Sequence, residues 1–228
     1  MTYFDIHTHK LNLIINETAI LNLFWHEQQS LPLNQPFSLS VHPWYLEQYS
    51  PESFEKELDK IEKNPFLWAI GECGLDKNTS FTSDYQISVL NEQYKLAERL
   101  KKPMIIHCVQ SFELLLNWKK DKNSVQILIH GFVKKMHLLE SLLKAGFYVS
   151  FGAALCQDRP TVKVSFLEMP MDRLFLETDD QSEYNISDIY LAAAAIKKIT
   201  VAELEDQIRI NINNFFYFNQ NPNGNACY

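Results

Sequence analysis

Pro103-Met104-Ile105-Ile106-His107 is an apolar run that stops at a histidine, and Val125-Gln126-Ile127-Leu128-Ile129-His130 repeats the arrangement further along. The cores Met104-Ile105-Ile106 and Ile127-Leu128-Ile129 show no polar alternation, so each reads as a strand covered on both faces. That is the signature of a parallel sheet enclosed by helices. Working outward, the pattern predicts strands over 3–6, 19–24, 37–41, 66–70, 103–106, 125–129, 147–151 and 174–176. Helices are expected over 51–64, 84–101, 111–120, 135–145, 187–197 and 201–216. The first opens with Ser50-Pro51, the second carries Ile87, Leu90, Tyr94 and Ala97 on one stripe, and Gly146 closes the fourth.

Strand and helix alternate from Phe66 onward, which predicts an α/β fold, a TIM-type (β/α) barrel. The barrel is expected to be distorted in its first third, where the linkers 11–18 and 25–36 are too short or too rich in Pro and Gln for crossover helices. An open doubly wound sheet is the competing fold, disfavoured because no Gly-rich phosphate turn follows the first strand. With 228 residues and no internal repeat or linker, the chain reads as one domain over 1–218 with a loose tail over 219–228.

Hydrophobic residues make up 46% and charged residues 21%, as in a folded globular protein. The formal charge of -7 argues against a broad basic surface for nucleic acid, but not against a nucleic-acid substrate bound through metal ions, whose charge dominates the local field. The four cysteines, Cys73, Cys108, Cys156 and Cys227, show no C-x-x-C spacing and read as reduced thiols. No signal peptide and no apolar stretch of membrane-spanning length is recognisable, so a soluble, cytoplasmic, monomeric protein with no obligate protein partner is expected.

The chemistry begins at Tyr3-Phe4-Asp5-Ile6-His7-Thr8-His9, where strand periodicity aims His7 and His9 at one centre and turns Thr8 away. In a barrel, residues at the C-terminal strand ends surround one mouth. His7, His9, His42, Glu72, His107, His130 and Asp179 all sit at or just beyond such ends, leaving only His26 and His137 of the seven histidines elsewhere. Imidazole and carboxylate together suit Zn²⁺, Mn²⁺, Fe²⁺ or Mg²⁺. So many ligands exceed one tetrahedral site, and two ions bridged by Glu72 fit better, which points to hydrolysis by a metal-activated water.

At these residues the sequence resembles the TatD family of metal-dependent deoxyribonucleases. The matching motifs are Asp5-Ile6-His7-Thr8-His9, Val41-His42-Pro43, Ile70-Gly71-Glu72-Cys73-Gly74-Leu75-Asp76, Pro103-Met104-Ile105-Ile106-His107, His130-Gly131-Phe132 and Glu177-Thr178-Asp179. The resemblance implies one metal on His7, His9, Glu72 and Asp179 and a second on Glu72, His107 and His130. It makes Asp179 the acceptor of a proton from the attacking water and sets His42 against the scissile phosphate or a water beside it. It implies cleavage of DNA ends with Mg²⁺ or a related ion. Two departures stand out. About one strand and helix of the usual spacing is missing before His42, and Cys108-Val109 follows His107 where the family usually carries an arginine.

Lys10, Lys77, Lys134, Lys135 and Arg159 lie just beyond strand ends, where they could rim the mouth and hold an anionic strand. Trp44 and Phe132 could stack on bases, with Phe132 the better candidate for packing. The competing functions are a metal-dependent hydrolase of amide or ester bonds in a small metabolite and a binding module without catalysis. The chain has no G-x-S-x-G elbow, Walker loop or dinucleotide fingerprint, and Cys73 and Cys108 are assigned to packing.

Overall fold

The computed structural model describes residues 3–10, 17–26, 34–50 and 61–217. Its sheet has eight parallel strands in chain order: β1 (Tyr3–Thr8), β2 (Glu17–Phe24), β3 (Phe37–Ser40), β4 (Leu67–Asp76), β5 (Met104–Val109), β6 (Ile127–Ile129), β7 (Tyr148–Phe151) and β8 (Leu174–Leu176). The sheet closes just beyond β8. Asp179 N–H donates to the His7 carbonyl at 2.9 Å and His9 N–H donates to the Asp179 carbonyl at 3.0 Å. The fold is therefore a (β/α) barrel, and without a reversal of strand order the doubly wound alternative falls.

Because β8 has three residues, it cannot pair with the whole of β1. The buried hydroxyl of Tyr190 serves Phe4 instead, donating to its carbonyl at 3.1 Å and accepting from its N–H at 3.3 Å. One residue on, the buried Asp5 carboxylate accepts from Thr178 N–H at 3.1 Å and from Thr178 Oγ1 at 2.5 Å. Side chains thus satisfy buried polar groups that a longer ladder would have paired.

Six α-helices are described: α1 (Ser83–Leu100), α2 (Phe112–Lys119), α3 (Met136–Lys144), α4 (Pro160–Glu168), α5 (Ile186–Lys197) and α6 (Val201–Phe216). The Thr82 side chain caps α1, and capping boxes open α5 (Asn185 with Asp188) and α6 (Thr200 with Glu203). Gly146, at φ +85, follows the Ala145 cap of α3, as its left-handed conformation requires. The sequence reading missed α4. Its Val162 and Phe166 are buried while Val164 and Leu167 are exposed, so its apolar residues mark no single stripe.

Three expectations need correction. β4 and β5 do not stop at Ile70 and Ile106 but run on to Asp76 and Val109. Gly71 and Gly74 are where β4 presses against β5: a Cβ on Gly74 would stand 1.9 Å from the His107 carbonyl oxygen. No strand is missing before His42, since β2 stands between β1 and β3. Among the described residues no α-helix precedes Ile61, and most of the linkers 11–18 and 25–36 lie outside the described residues. Most of the helix expected over 51–64, and the tail over 219–228, lie outside the described residues, as does Cys227.

Candidate metal centre

Glu72, buried in β4, is the hub, and its two carboxylate oxygens face different groups. Around Oε2 stand His7 Nε2 and His9 Nε2, each at 3.4 Å, and both imidazoles also approach Asp179 Oδ1, at 3.6 and 3.5 Å. Around Oε1 stand His107 Nδ1 at 2.7 Å, His130 Nε2 at 2.8 Å and His42 Nε2 at 3.3 Å. The sequence-predicted His7, His9, His42, Glu72, His107, His130 and Asp179 thus come together, although they arrive from β1, β4, β5 and the segments after β1, β3, β6 and β8. Asp179 is carried there by the barrel seam itself: its backbone, at φ +56, makes the two hydrogen bonds to β1.

The electrostatics favour added positive charge. Burial and the neighbouring His130 oppose protonation of His7, yet Asp179 and Glu72 hold its pKa up at about 9. His130 is likewise raised well above its ordinary value against its own burial, by Glu72 and Glu177. Burial works against ionised Glu72, but His130, His107 and His42 hold its carboxyl well below the usual range. Asp179, despite burial, is held at about 2 by His7 and His130. Both ring nitrogens of His7 are buried without a hydrogen-bond partner, and its Nε2 faces the carboxylates of Glu72 and Asp179 at 3.4 and 3.6 Å. A buried set of imidazoles and carboxylates that draws protons, with ring nitrogens left over, fits divalent cations.

The imidazoles are oriented by residues to which sequence reasoning gave no role. His107 Nε2 lies 3.1 Å from Asp76 Oδ2, which turns Nδ1 toward Glu72. Asp76 is itself held by Gln86 of α1, whose Oε1 accepts from Asp76 N–H at 2.8 Å and whose Nε2 donates to the Asp76 carbonyl at 3.0 Å. His130 Nδ1 faces the buried Glu177 at 3.6 Å, and Glu177 accepts from Ser150 Oγ at 2.5 Å. Asn22 of β2 accepts from the Glu72 backbone N–H at 2.6 Å and fixes where the hub side chain starts. A signal for Asp76 existed: positions 72, 74 and 76 share one strand face once β4 is extended. His42 differs from the others. Its Nδ1 accepts from Trp44 N–H at 3.1 Å, which leaves Nε2 to carry the proton, and burial lowers its pKa.

The candidate substrate groups are less concentrated. Lys10 Nζ donates to the Asp180 carbonyl beside the site. Lys77 lines a groove of about 320 Å³ with Gln110, Ser111 and Asn117. Lys134, Lys135 and Arg159 are exposed. Phe132 is buried against Phe151, as packing requires. Trp44 is 55% exposed beside His42 and His107. The Cys73 and Cys108 thiols are buried and pushed up by that burial, Cys108 to about 12, so neither is a nucleophile at neutral pH. Among the described residues no helix is long and apolar enough to cross a membrane.

The chain is similar to several known proteins. The model of a family described as TatD related DNase matches residues 11–217. An uncharacterized metal-dependent hydrolase of Buchnera aphidicola is 32% identical over 176 residues, 74% of this chain and 65% of the relative. The 3'-5' ssDNA/RNA exonuclease TatD of Erwinia amylovora is 32% identical over 146 residues, 61% of this chain and 55% of the relative. The matches thus span between about half and two thirds of these relatives' own length. The crystal structure of the TatD homologue YjjV from Escherichia coli K12 superposes with a TM-score of 0.77 at 20% identity, covering 94% of this chain and 97% of that one.

Proposed function

The chain belongs to the TatD related DNase family, and from that premise we propose that it is a divalent-metal-dependent phosphodiesterase that cleaves single-stranded nucleic acid, DNA first, from an end. The observation that carries the reading is the division of labour at Glu72, with His7, His9 and Asp179 gathered on one oxygen and His107 and His130 on the other. These residues would hold two divalent cations, Mg²⁺, Mn²⁺ or Zn²⁺, with Glu72 common to both sets, and such ions would supply polarisation of a phosphoryl oxygen and a lowered pKa for water.

The chain's own side chains do the rest. Asp179, whose low pKa keeps it ionised at neutral pH, accepts the proton of the attacking water. His42, held as the Nε2–H tautomer by Trp44 N–H and facing Glu72 Oε1 at 3.3 Å, sits against the scissile phosphate or a water beside it. Lys10, Lys77 and Lys134 draw the strand toward the mouth. The named activity of the Erwinia relative supports a nucleic-acid substrate. Hydrolysis of a small amide or ester is the second reading, favoured by one observation: at the end of β5, Cys108-Val109 supplies no guanidinium for phosphate.

Calorimetric titration with Mn²⁺ tests the centre, and a panel of single-stranded oligonucleotides and small amides tests the substrate. Two equivalents in the native protein, a weakened second equivalent in Glu72→Gln, and turnover of oligonucleotides are the expected results. One equivalent in both proteins refutes the bridge; turnover of amides alone refutes the substrate.

A further inference from the structure

Trp44 is the only tryptophan of the four that is largely open: Trp25 and Trp118 are buried and Trp68 is partly buried. Large exposed aromatics are usually free to turn, but this one is pinned. Its Nε1–H donates at 2.7 Å to Oδ2 of Asp76, a carboxylate 1% exposed, and the same oxygen lies 3.1 Å from His107 Nε2. Its backbone N–H holds His42. One buried carboxylate therefore locks an exposed indole in register with two imidazoles that face Glu72.

Beside the indole runs a groove of about 560 Å³ lined by Trp44, Glu47, Asn78, Thr79, Ser80 and Phe81. It has aromatic and neutral hydrogen-bonding walls and a single charge, the acidic Glu47. That charge repels phosphate, while the neutral groups suit the edges of a base. We propose that Trp44 is the platform on which the nucleobase next to the scissile phosphodiester stacks, with the base in this groove and the phosphate directed to the Glu72 side. The ligand class is an unpaired base at a single-stranded end, because a base within a duplex stack has no free face to offer. Asp76 is the positioning residue that couples platform to chemistry. This inference rests on the nuclease reading above and adds the subsite.

The test uses the full chain with Mg²⁺ and an oligothymidylate whose terminal linkages are phosphorothioates, so that binding is read without cleavage. Binding quenches tryptophan emission in the native protein, and the quench is absent in Trp44→Phe, which retains the other three tryptophans. In turnover of ordinary oligonucleotides Trp44→Ala raises KM about 10- to 100-fold, as loss of one stacked base implies, and raises KM more than it lowers kcat. The loss is confined to ends that carry a base: on an oligonucleotide with abasic terminal residues the variant and native KM values agree. Equal penalties on both substrates, or a quench that survives in Trp44→Phe, overturn the platform and leave the nuclease reading intact. A native protein that binds no oligonucleotide at all overturns both.

Discussion

Gly74→Ala is a sharp test of the way two strands share this site. Gly74 lies in β4 at φ +149, and a Cβ there would stand 1.9 Å from the carbonyl oxygen of His107 and 2.9 Å from its carbonyl carbon. Bringing the first contact out to the 3.0 Å that real β-carbons respect needs a retreat of 3.0 - 1.9 = 1.1 Å by the β5 backbone, at the very residue that approaches Glu72. The His107 Nδ1 to Glu72 Oε1 contact of 2.7 Å and the Nε2 to Asp76 contact of 3.1 Å cannot both survive that shift. Misplacement on the order of 1 Å costs about 100-fold in rate. Strain and overpacking should destabilise the fold by about 1–3 kcal/mol. Calorimetry with Mn²⁺ should show the equivalent at His107 and His130 weakened at least about 10-fold, in line with disturbed support of a ligand. Gly146→Ala is the control. It too has positive φ, but no atom lies within 4 Å of its added Cβ, so it costs stability alone. A Gly74→Ala protein with native turnover and native affinity for both equivalents refutes the argument that close β4–β5 packing sets the centre.

Other outcomes follow from the same geometry. Tyr190→Phe leaves the Phe4 N–H and carbonyl without the hydroxyl that serves both, and chemical denaturation should show a loss of about 1–3 kcal/mol; an unchanged midpoint contradicts the seam role. In the metal-free protein the folded His7 pKa of about 9 exceeds its ordinary 6.5, so its contribution is complete below pH 6.5 and is lost as pH rises through 9, about 3 kcal/mol in all. The Tm of chelator-treated protein should accordingly fall between pH 6.5 and 9.5, and one that rises over this range refutes the charge assignment. Since cations must displace these protons, Mn²⁺ binding at pH 7.5 should release protons from both His7 and His130, read from titrations in buffers of different ionisation enthalpy; binding without proton release refutes the assignment. Asp76→Asn weakens acceptance from His107 and Trp44 alike, and Mn²⁺ affinity should drop about 10- to 100-fold while the fold persists; native affinity would show that Asp76 orients nothing.

Much of this was legible in the chain, and the reason differs by residue. Met104-Ile105-Ile106 and Ile127-Leu128-Ile129 announce doubly covered strands because burial on both faces removes polar residues from the pattern. His7 and His9 announce a shared target because strand periodicity is a local property, and the structure sets both Nε2 atoms 3.4 Å from one oxygen. The run of β4 past Ile70 was not legible, since a glycine that makes room for a neighbouring strand cannot be told locally from one that makes a turn. Helix α4 was hidden for a related reason: with Val164 and Leu167 exposed, it has no clean apolar stripe.

By itself the sequence determined which residues could carry the chemistry, and that parallel strands would bring them to one rim. Only the tertiary structure decided which oxygen of Glu72 each imidazole faces, that Asp179 reaches β1 through the barrel seam, and that Asp76 and Glu177 turn the rings of His107 and His130. Those are relations of a few ångströms between segments far apart in the chain. They are set by how each backbone is packed against the next, a quantity that no local pattern of residues encodes.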